Sequence, residues 1–573
     1  MTAPDPTNPL IVQGDYTILV EVNSPKYTTA RDGLARFAEL VKSPEHIHTY
    51  RITPLSIWNA CASGVDRDEI LSVLRDLSKY PVPEHVFTGI NDFASRYGRL
   101  RIVPDAGRLM LQADDRILAE EISRTKSVKP FLGERVAPES FLIKPMDRGR
   151  IKQELIKVGY PAQDLAGYVE GERLSIDLRE MTIMGNPFSL RPYQQHAAES
   201  FFAGGGPNGG SGVIVLPCGA GKTVVGMGCM AQVQASTLIL TTSVTAVRQW
   251  INELIDKTHI QDDQIGEYSG ETKTIKPVTV ATYQIMTYRR DKGGDFPHLA
   301  LFDQRDWGLI IYDEVHLLPA PVFQITASLQ ARRRLGLTAT LVREDGREDD
   351  VFALIGPKKA DAAWKTLEAQ GWIAQATCTE IRVPLPEDLR MPYAIADSRG
   401  KFRIASENPA KEDVVRELLE RHSGDHVLII GMYVDQVRAM ADRLGVPHLT
   451  GSTSQRKRDK LYKEFKEGSV PVLAVSKVAN FAVDLPDASV AIQISGTFGS
   501  RQEEAQRLGR ILRPKPELNQ AYFYTLVTKD TTEQEFALKR QLFLCEQGYE
   551  YRIRNGSGMN EAVPTGVIGR RVN

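Results

Sequence analysis

The sequence predicts an α/β protein in which two blocks of alternating strand and helix, about 188–355 and 411–530, follow smaller mixed α/β or α+β regions. Three observations carry this. The 573 residues amount to about four times a roughly 150-residue domain, so at least two sizeable cores are required. From Arg191 onward, compact apolar strands alternate with helix-length segments. The two blocks share that grammar without sharing an obvious sequence repeat.

Along the chain, residues 1–137 read as an N-terminal accessory domain, with a strand at 16–22 and amphipathic helices at 31–42 and 68–79. Residues 138–187 form a connecting or nucleic-acid-contacting region. There Lys144, Arg148, Arg150 and Lys152 cluster near a helix start; the cluster suits phosphate, but a solvated helix face explains it more simply. In the first block (188–355), the Gly-rich stretch 204–212 is a loop before a buried strand at 213–216, and further strands are expected at 237–241, 278–281 and 309–312. Residues 356–410 join the blocks, 411–553 hold the second block and a packing extension, and 554–573 lack apolar periodicity and default to disorder.

With 42% hydrophobic and 25% charged residues, the composition is that of a globular chain rather than a fibrous or disordered one. The balance of 71 basic against 72 acidic residues excludes a globally basic surface but leaves a local path for a polyanion open. Five cysteines without a CxxC pair argue against a disulfide framework and a cysteine zinc site. Neither His46 with His48 nor His422 with His426 brings a third and fourth metal ligand. No run approaches about 18 apolar residues and the N-terminus lacks a signal pattern, so a cytoplasmic protein without a membrane segment is expected.

The chemistry concentrates in Pro217-Cys218-Gly219-Ala220-Gly221-Lys222-Thr223, after a strand and before a helix. Small residues such as Gly219 and Gly221 let successive amides surround phosphate, Lys222 reaches the terminal phosphates and Thr223 holds magnesium. Leu216 stands where the strict phosphate-loop pattern has its first glycine. About 90 residues after Lys222, Asp313-Glu314-Val315-His316 closes an apolar strand. Asp313 is placed in the metal shell and Glu314 at the attacking water. His316 is either a packed neutral histidine or a link to Thr338-Ala339-Thr340. In the second block Arg507 and Arg510 are three apart and approach one helix face, suited to charge on a transferring phosphoryl group. ATP and Mg2+ are the implied cofactors, with Lys222, Asp313, Glu314, Arg507 and Arg510 as the catalytic set.

These residues resemble the core of a superfamily 2 helicase. Asp313–His316, Arg343-Glu344-Asp345 and the stretch 499–513 together resemble the XPB DNA-repair helicase family, as do Leu190–Gln194, Gly451–Gln455, Ser476–Val478 and Asp484–Pro486. The resemblance implies two RecA-like lobes and 3'-to-5' motion on DNA. It assigns Arg191 and Gln194 to the adenine end of ATP, Asp484 to nucleotide coupling, and Arg343, Glu344 and Asp345 to DNA opening. Thr241, Thr242, Arg248 and Thr282 match strand-contacting motifs, and a short thumb-like element is implied around 377–410. The basic runs Arg332–Arg334 and Arg456–Lys466 suit phosphate or a solvated surface equally. Implied partners are DNA and a repair nuclease or other repair factors, around a monomeric core that joins the nucleoid when DNA-bound. A double-stranded DNA translocase, an RNA helicase and an ATP-switched repair scaffold are the competing readings.

Overall fold

The computed structural model describes residues 5–556 apart from 35, 43–45, 63, 106, 145–146, 167–169, 206–208, 218, 290–296, 299–300, 302–303, 319–321, 323–332, 340–350, 352–354, 357, 363, 477–487, 497–503, 505–506, 510, 513–518, 547–548 and 550. The chain opens on an antiparallel sheet of β1 (Leu10–Val12), β2 (Thr17–Glu21), β3 (Glu39–Lys42) and β4 (Ile47–Arg51), in the order β1-β2-β4-β3. Helices α1 (Tyr27–Leu34), α2 (Pro54–Ala62), α3 (Arg67–Leu77) and α4 (Glu84–Arg96) close a core on it that includes Ile18, Val20, Ile57, Ile70 and Ile90. The strand at 16–22 and the helix at 68–79 correspond to β2 and α3. The helix expected over 31–42 does not run through: it ends at Leu34, and Glu39–Lys42 pairs with β4 instead. Ladder formation with the neighbouring strand overrides a helical spacing in so short a segment. His48 is buried and accepts or donates a hydrogen bond with Tyr27 Oη at 3.0 Å.

A second small unit follows, with β5 (Leu100–Asp105), β6 (Arg108–Ala113), β7 (Leu132–Ala137), β8 (Ser140–Ile143) and β9 (Ala162–Asp164) in the order β7-β8-β6-β5-β9. The boundary placed at 137/138 therefore cuts the β7–β8 hairpin, and the accessory region comprises two units rather than one. The basic cluster is corrected too. Lys144 and Arg150 are exposed, but Arg148 and Lys152 are buried around Asp164 on the inward face of the helix Arg148–Lys157. Arg148 Nε donates to Asp164 Oδ2 at 2.9 Å and Lys152 Nζ at 3.1 Å. Burial would raise the Asp164 pKa, but Lys152 and Arg148 outweigh it and hold it at about 2.

The first lobe is a seven-stranded parallel sheet of β10 (Ser211–Val215), β11 (Thr237–Thr241), β12 (Ile265–Tyr268), β13 (Val278–Thr282), β14 (Leu309–Asp313), β15 (Arg333–Thr338) and β16 (Lys358–Asp361), ordered β12-β13-β11-β14-β15-β10-β16. β11 and β13 are buried at every position, as a sheet covered by helices on both faces requires. Arg334 is fully buried within β15, so the run beginning at Arg332, itself outside the described residues, is not a surface patch.

The second lobe repeats this with β17 (Gln375–Val383), β18 (Val427–Ile430), β19 (His448–Leu449), β20 (Val472–Val475), β21 (Val490–Gln493), β22 (Gln520–Thr528) and β23 (Tyr551–Asn555), ordered β19-β20-β18-β21-β22-β17-β23 and parallel throughout. Both lobes are RecA-like. The interlobe stretch is shorter than the expected 356–410, because β16 belongs to the first sheet and β17 to the second. The segment assigned to a thumb thus starts inside β17, next to the edge strand of the second sheet. Outside the sheet stand only the helices Glu387–Ile395 and Ser398–Ser406, the first burying none of its residues and exposing Met391 and Ile395. β23 also carries regular structure past residue 553, to Asn555; 557–573 lie outside the described residues. The helix Gln455–Lys466 presents Arg456, Lys457, Lys460, Lys463 and Lys466 to solvent. Among the described residues no helix is long and apolar enough to cross a membrane.

Candidate phosphate site and strand-end machinery

After α5 (Arg116–Arg124), α6 (Arg148–Lys157) and α7 (Pro192–Phe202), β10 leads through a loop containing Gly219, Ala220 and Gly221 into helix α8 (Lys222–Val233). Gly219 and Gly221 have φ of +83° and +79°, a left-handed backbone that glycine adopts without a Cβ penalty. At Gly221 space imposes the same choice, since a Cβ would lie 2.6 Å from Gln194 Nε2. The loop is braced from α7: Tyr193 Oη and Gln194 Nε2 donate to Ala220 O at 2.7 and 3.0 Å. Gln194 Oε1 also accepts from the Arg191 backbone N–H at 3.0 Å, closing a capping box. The Arg191 guanidinium lies 4.6 Å from the centre of the Trp372 ring, a cation–π contact between the first lobe and the segment leading into β17. Gln194 and Arg191 thus stand beside the phosphate loop, with their side chains bracing structure there.

Asp313 ends β14, and Glu314 follows at φ +49°, an unusual backbone for a residue with a Cβ. That turn brings Glu314 Oε1 to 2.5 Å from Lys222 Nζ. Asp313 is held at both oxygens, Oδ2 accepting from Trp250 Nε1 at 2.9 Å and Oδ1 from the Glu314 backbone N–H at 3.0 Å. Burial pushes the Asp313 carboxyl up to about 6, the Glu314 charge adds to the rise and Lys222 opposes it. Two carboxylates and an ammonium form a hard oxygen and cation set, and Thr223, at the second position of α8, follows Lys222 in sequence; donors of this chemistry fit a magnesium nucleotide.

From this centre a polar chain leads along the strand ends. His316 is buried, and its Nδ1 lies 3.5 Å from Glu314 Oε2 and 2.9 Å from Thr338 Oγ1. Thr338 ends β15, level with Val215 of β10. Thr340, Arg343, Glu344 and Asp345 lie outside the described residues, as do Arg510 and Asp484.

Thr241 and Thr282 are direct partners at the ends of β11 and β13. Both are buried: the Thr241 hydroxyl donates to Ser243 O at 3.2 Å, and Thr282 Oγ1 caps the helix that follows by accepting from Ile285 N at 3.2 Å. Arg248 is half-exposed on helix α9 (Val244–Lys257) and pairs with Glu271. In the second lobe Arg507 is buried and its Nη1 donates to Gln493 Oε1, at the end of β21, at 2.5 Å.

The structure therefore gathers Lys222, Asp313, Glu314, His316 and Thr338, while the Arg507–Gln493 hydrogen bond lies within the second lobe. Sequence reading missed Trp250, Tyr193, Trp372 and Gln493. Trp250 lies on the apolar stripe Ala246, Val247, Trp250 and Leu254, so its spacing signals only a packed face. Tyr193 is adjacent to Gln194 in sequence and could have been found there.

Three family models match the chain: the "ERCC3/RAD25/XPB C-terminal helicase" over residues 367–565, a "Helicase conserved C-terminal domain" over 10–137, and "Type III restriction enzyme, res subunit" over 187–343. The "DNA 3'-5' helicase XPB" of Kineococcus radiotolerans is 53% identical over 557 residues, covering 97% of this chain and 98% of that protein. Its namesake in Mycobacterium tuberculosis is 53% identical over 96% of this chain and 98% of its own length. The "General transcription and DNA repair factor IIH helicase/translocase subunit XPB/SSL2" of Saccharomyces cerevisiae is 32% identical over 95% of this chain and 71% of its own length. Identity of this level over nearly the whole length, joined to the phosphate loop and acidic strand end described above, shows that the chain belongs to the XPB family of DNA helicases.

Proposed function

We infer that the protein is an ATP-dependent DNA helicase that moves 3'-to-5' and opens duplexes in DNA repair. The observation that carries the reading is the contact of Lys222 with Glu314 beside Asp313, joined by His316 to Thr338 at the end of a neighbouring strand. Magnesium bound with ATP would neutralise phosphate charge. Lys222 would transfer its ammonium from Glu314 to the terminal phosphates, which leaves the Glu314 carboxylate to orient the attacking water. Asp313 and Thr223 would hold the metal, and the loop amides around Gly219 and Gly221 would cradle the phosphates. Arg507, with Arg510, would stabilise developing charge from the second lobe, so that hydrolysis depends on lobe alignment. Glu314, His316 and Thr338 would report the nucleotide's state to the segment holding Thr340 and Arg343, Glu344 and Asp345, proposed to open DNA.

Arg191 and Gln194 are proposed for the adenine end, Asp484 for coupling, and Thr241, Arg248 and Thr282 for the DNA strand. Of the last three, Arg248 presents its side chain to solvent, so it is the one assigned direct phosphate contact; the two threonines act through the loops they shape. Repair factors, a nuclease among them, are the proposed partners of a cytoplasmic protein that joins the nucleoid on DNA.

Unwinding of matched 3'-tailed, 5'-tailed and blunt duplexes, with ATP hydrolysis followed on each, tests the reading. Selective opening of the 3'-tailed duplex is expected. DNA-stimulated hydrolysis without opening would replace it with a double-stranded DNA translocase; the yeast relative's name carries both words, helicase and translocase.

A further inference from the structure

Trp250 serves the phosphate site without touching phosphate. Its place on the buried stripe of α9 accounts for a packed ring, but not for the course of its one polar atom. The indole N–H reaches Asp313 Oδ2 at 2.9 Å, and Trp250 is 2% exposed, so water offers the N–H little alternative. The far edge of the ring meets α8, where a Cβ on Gly226 would come within 2.6 Å of Trp250 Cη2. One rigid ring therefore touches both the helix that begins at Lys222 and the carboxylate that ends β14. Together with the Glu314 backbone N–H on the other oxygen, it fixes the plane of the Asp313 carboxylate.

The opposite side of α9 faces solvent. Arg248, two residues before Trp250, is half-exposed there, and α9 starts immediately after the loop at Thr241, with Ser243 as its N-cap. α9 thus carries on one side a half-exposed cation, which nucleic acid would have to draw from Glu271 and Glu267, and on the other the donor to Asp313.

We propose that Trp250 is a positioning residue that orients the Asp313 carboxylate for the metal nucleotide and passes displacement of α9, when its Arg248 face engages nucleic acid, to that carboxylate. The proposal rests on the reading of Asp313 as the metal-holding group.

Its test uses the full chain carrying W250F, which keeps an aromatic ring and removes the N–H, with D313N as the reference. A fluorescent ADP analogue is titrated in EDTA and in saturating Mg2+, and ATP turnover is measured with and without duplex DNA. W250F is expected to match the wild type in EDTA and to lose roughly tenfold of the affinity gained on adding Mg2+, the factor set by one hydrogen bond to a charged group. Its DNA-stimulated turnover should fall by a larger factor than its DNA-free turnover. G226A, which leaves the N–H in place and crowds the ring, should reproduce the pattern and decides the matter if W250F does not fold. Wild-type Mg2+ gain and DNA stimulation in folded W250F or, failing that, G226A, with D313N losing the gain, would overturn the proposal while leaving Asp313 as the metal holder. A full Mg2+ gain in D313N would overturn the reading of Asp313 itself, and the proposal with it.

Discussion

Lys222 Nζ and Glu314 Oε1 stand 2.5 Å apart, with both side chains largely withdrawn from solvent. Any phosphate entering the loop competes with Glu314 for this ammonium. K222A removes the proposed phosphate contact and leaves the carboxylate without its cation; ATP turnover should fall by at least about 100-fold, with weakened nucleotide binding. E314Q instead releases Lys222, so ATP binding should persist or tighten while turnover falls by about 100- to 1000-fold. Parallel binding and steady-state assays separate the two, and near-normal turnover by K222A would remove Lys222 from the catalytic set.

The His316–Thr338 hydrogen bond, 2.9 Å long and buried, joins the acidic strand end to β15. T338V keeps the volume and removes the hydroxyl. Unwinding per ATP hydrolysed should drop by about 2- to 30-fold, the range given by 0.5–2 kcal/mol of coupling, while hydrolysis itself changes less. Equal losses in both assays would show that the contact serves the hydrolytic step alone.

Lys411 and Glu533 form an ion pair with no exposed surface on either side chain, at 2.9 Å. Lys411 also donates to Ile494 O, and Glu533 accepts from the Thr528 backbone N–H. Burial lowers the Lys411 pKa and Glu533 opposes that shift. K411M should destabilise the second lobe by about 3–5 kcal/mol, because it strands a buried carboxylate. The double variant K411M/E533L should cost less than the sum of the single changes, as denaturant titration of all three would reveal.

Burial, reinforced by Arg31, lowers the His48 pKa to about 4 from an ordinary value near 6.5. A depressed imidazole pKa means the unfolded chain takes up the proton first. Stability is therefore intact above about pH 6.5 and declines as pH falls towards 4. Between pH 7 and 5 the loss attributable to His48 should be about 2 kcal/mol. H48Q should flatten that part of the pH dependence when chemical unfolding is compared at the two values.

Much of the fold was legible because its signals are local. β11 and β14 are built on apolar runs and β13 on β-branched residues, and the candidate phosphate loop is a contiguous string from Pro217 to Thr223. The pairing of β3 with β4 was not legible, since four residues of helical spacing carry too little pattern to reveal that they pair with the next strand. Nor were Arg148 and Lys152, whose basic side chains turn inward only because Asp164 waits at the end of β9. In the candidate site, spacing located Lys222, Asp313 and Glu314, whereas Trp250 and Gln493 became visible only when folding brought their polar atoms to Asp313 and Arg507.

β23 is the last strand of the second sheet and lies against β17, whose other side is taken by β22. It acts as a guard strand: Arg552 and Arg554 put charge on an outermost position, where a bare row of backbone donors and acceptors would otherwise invite another chain. Shortening the protein before Tyr551 would hand that outermost position to β17, nine residues long and rich in buried side chains such as Cys378 and Ile381. The outcome to anticipate is self-association through an open sheet margin, so β23 is a determinant of solubility.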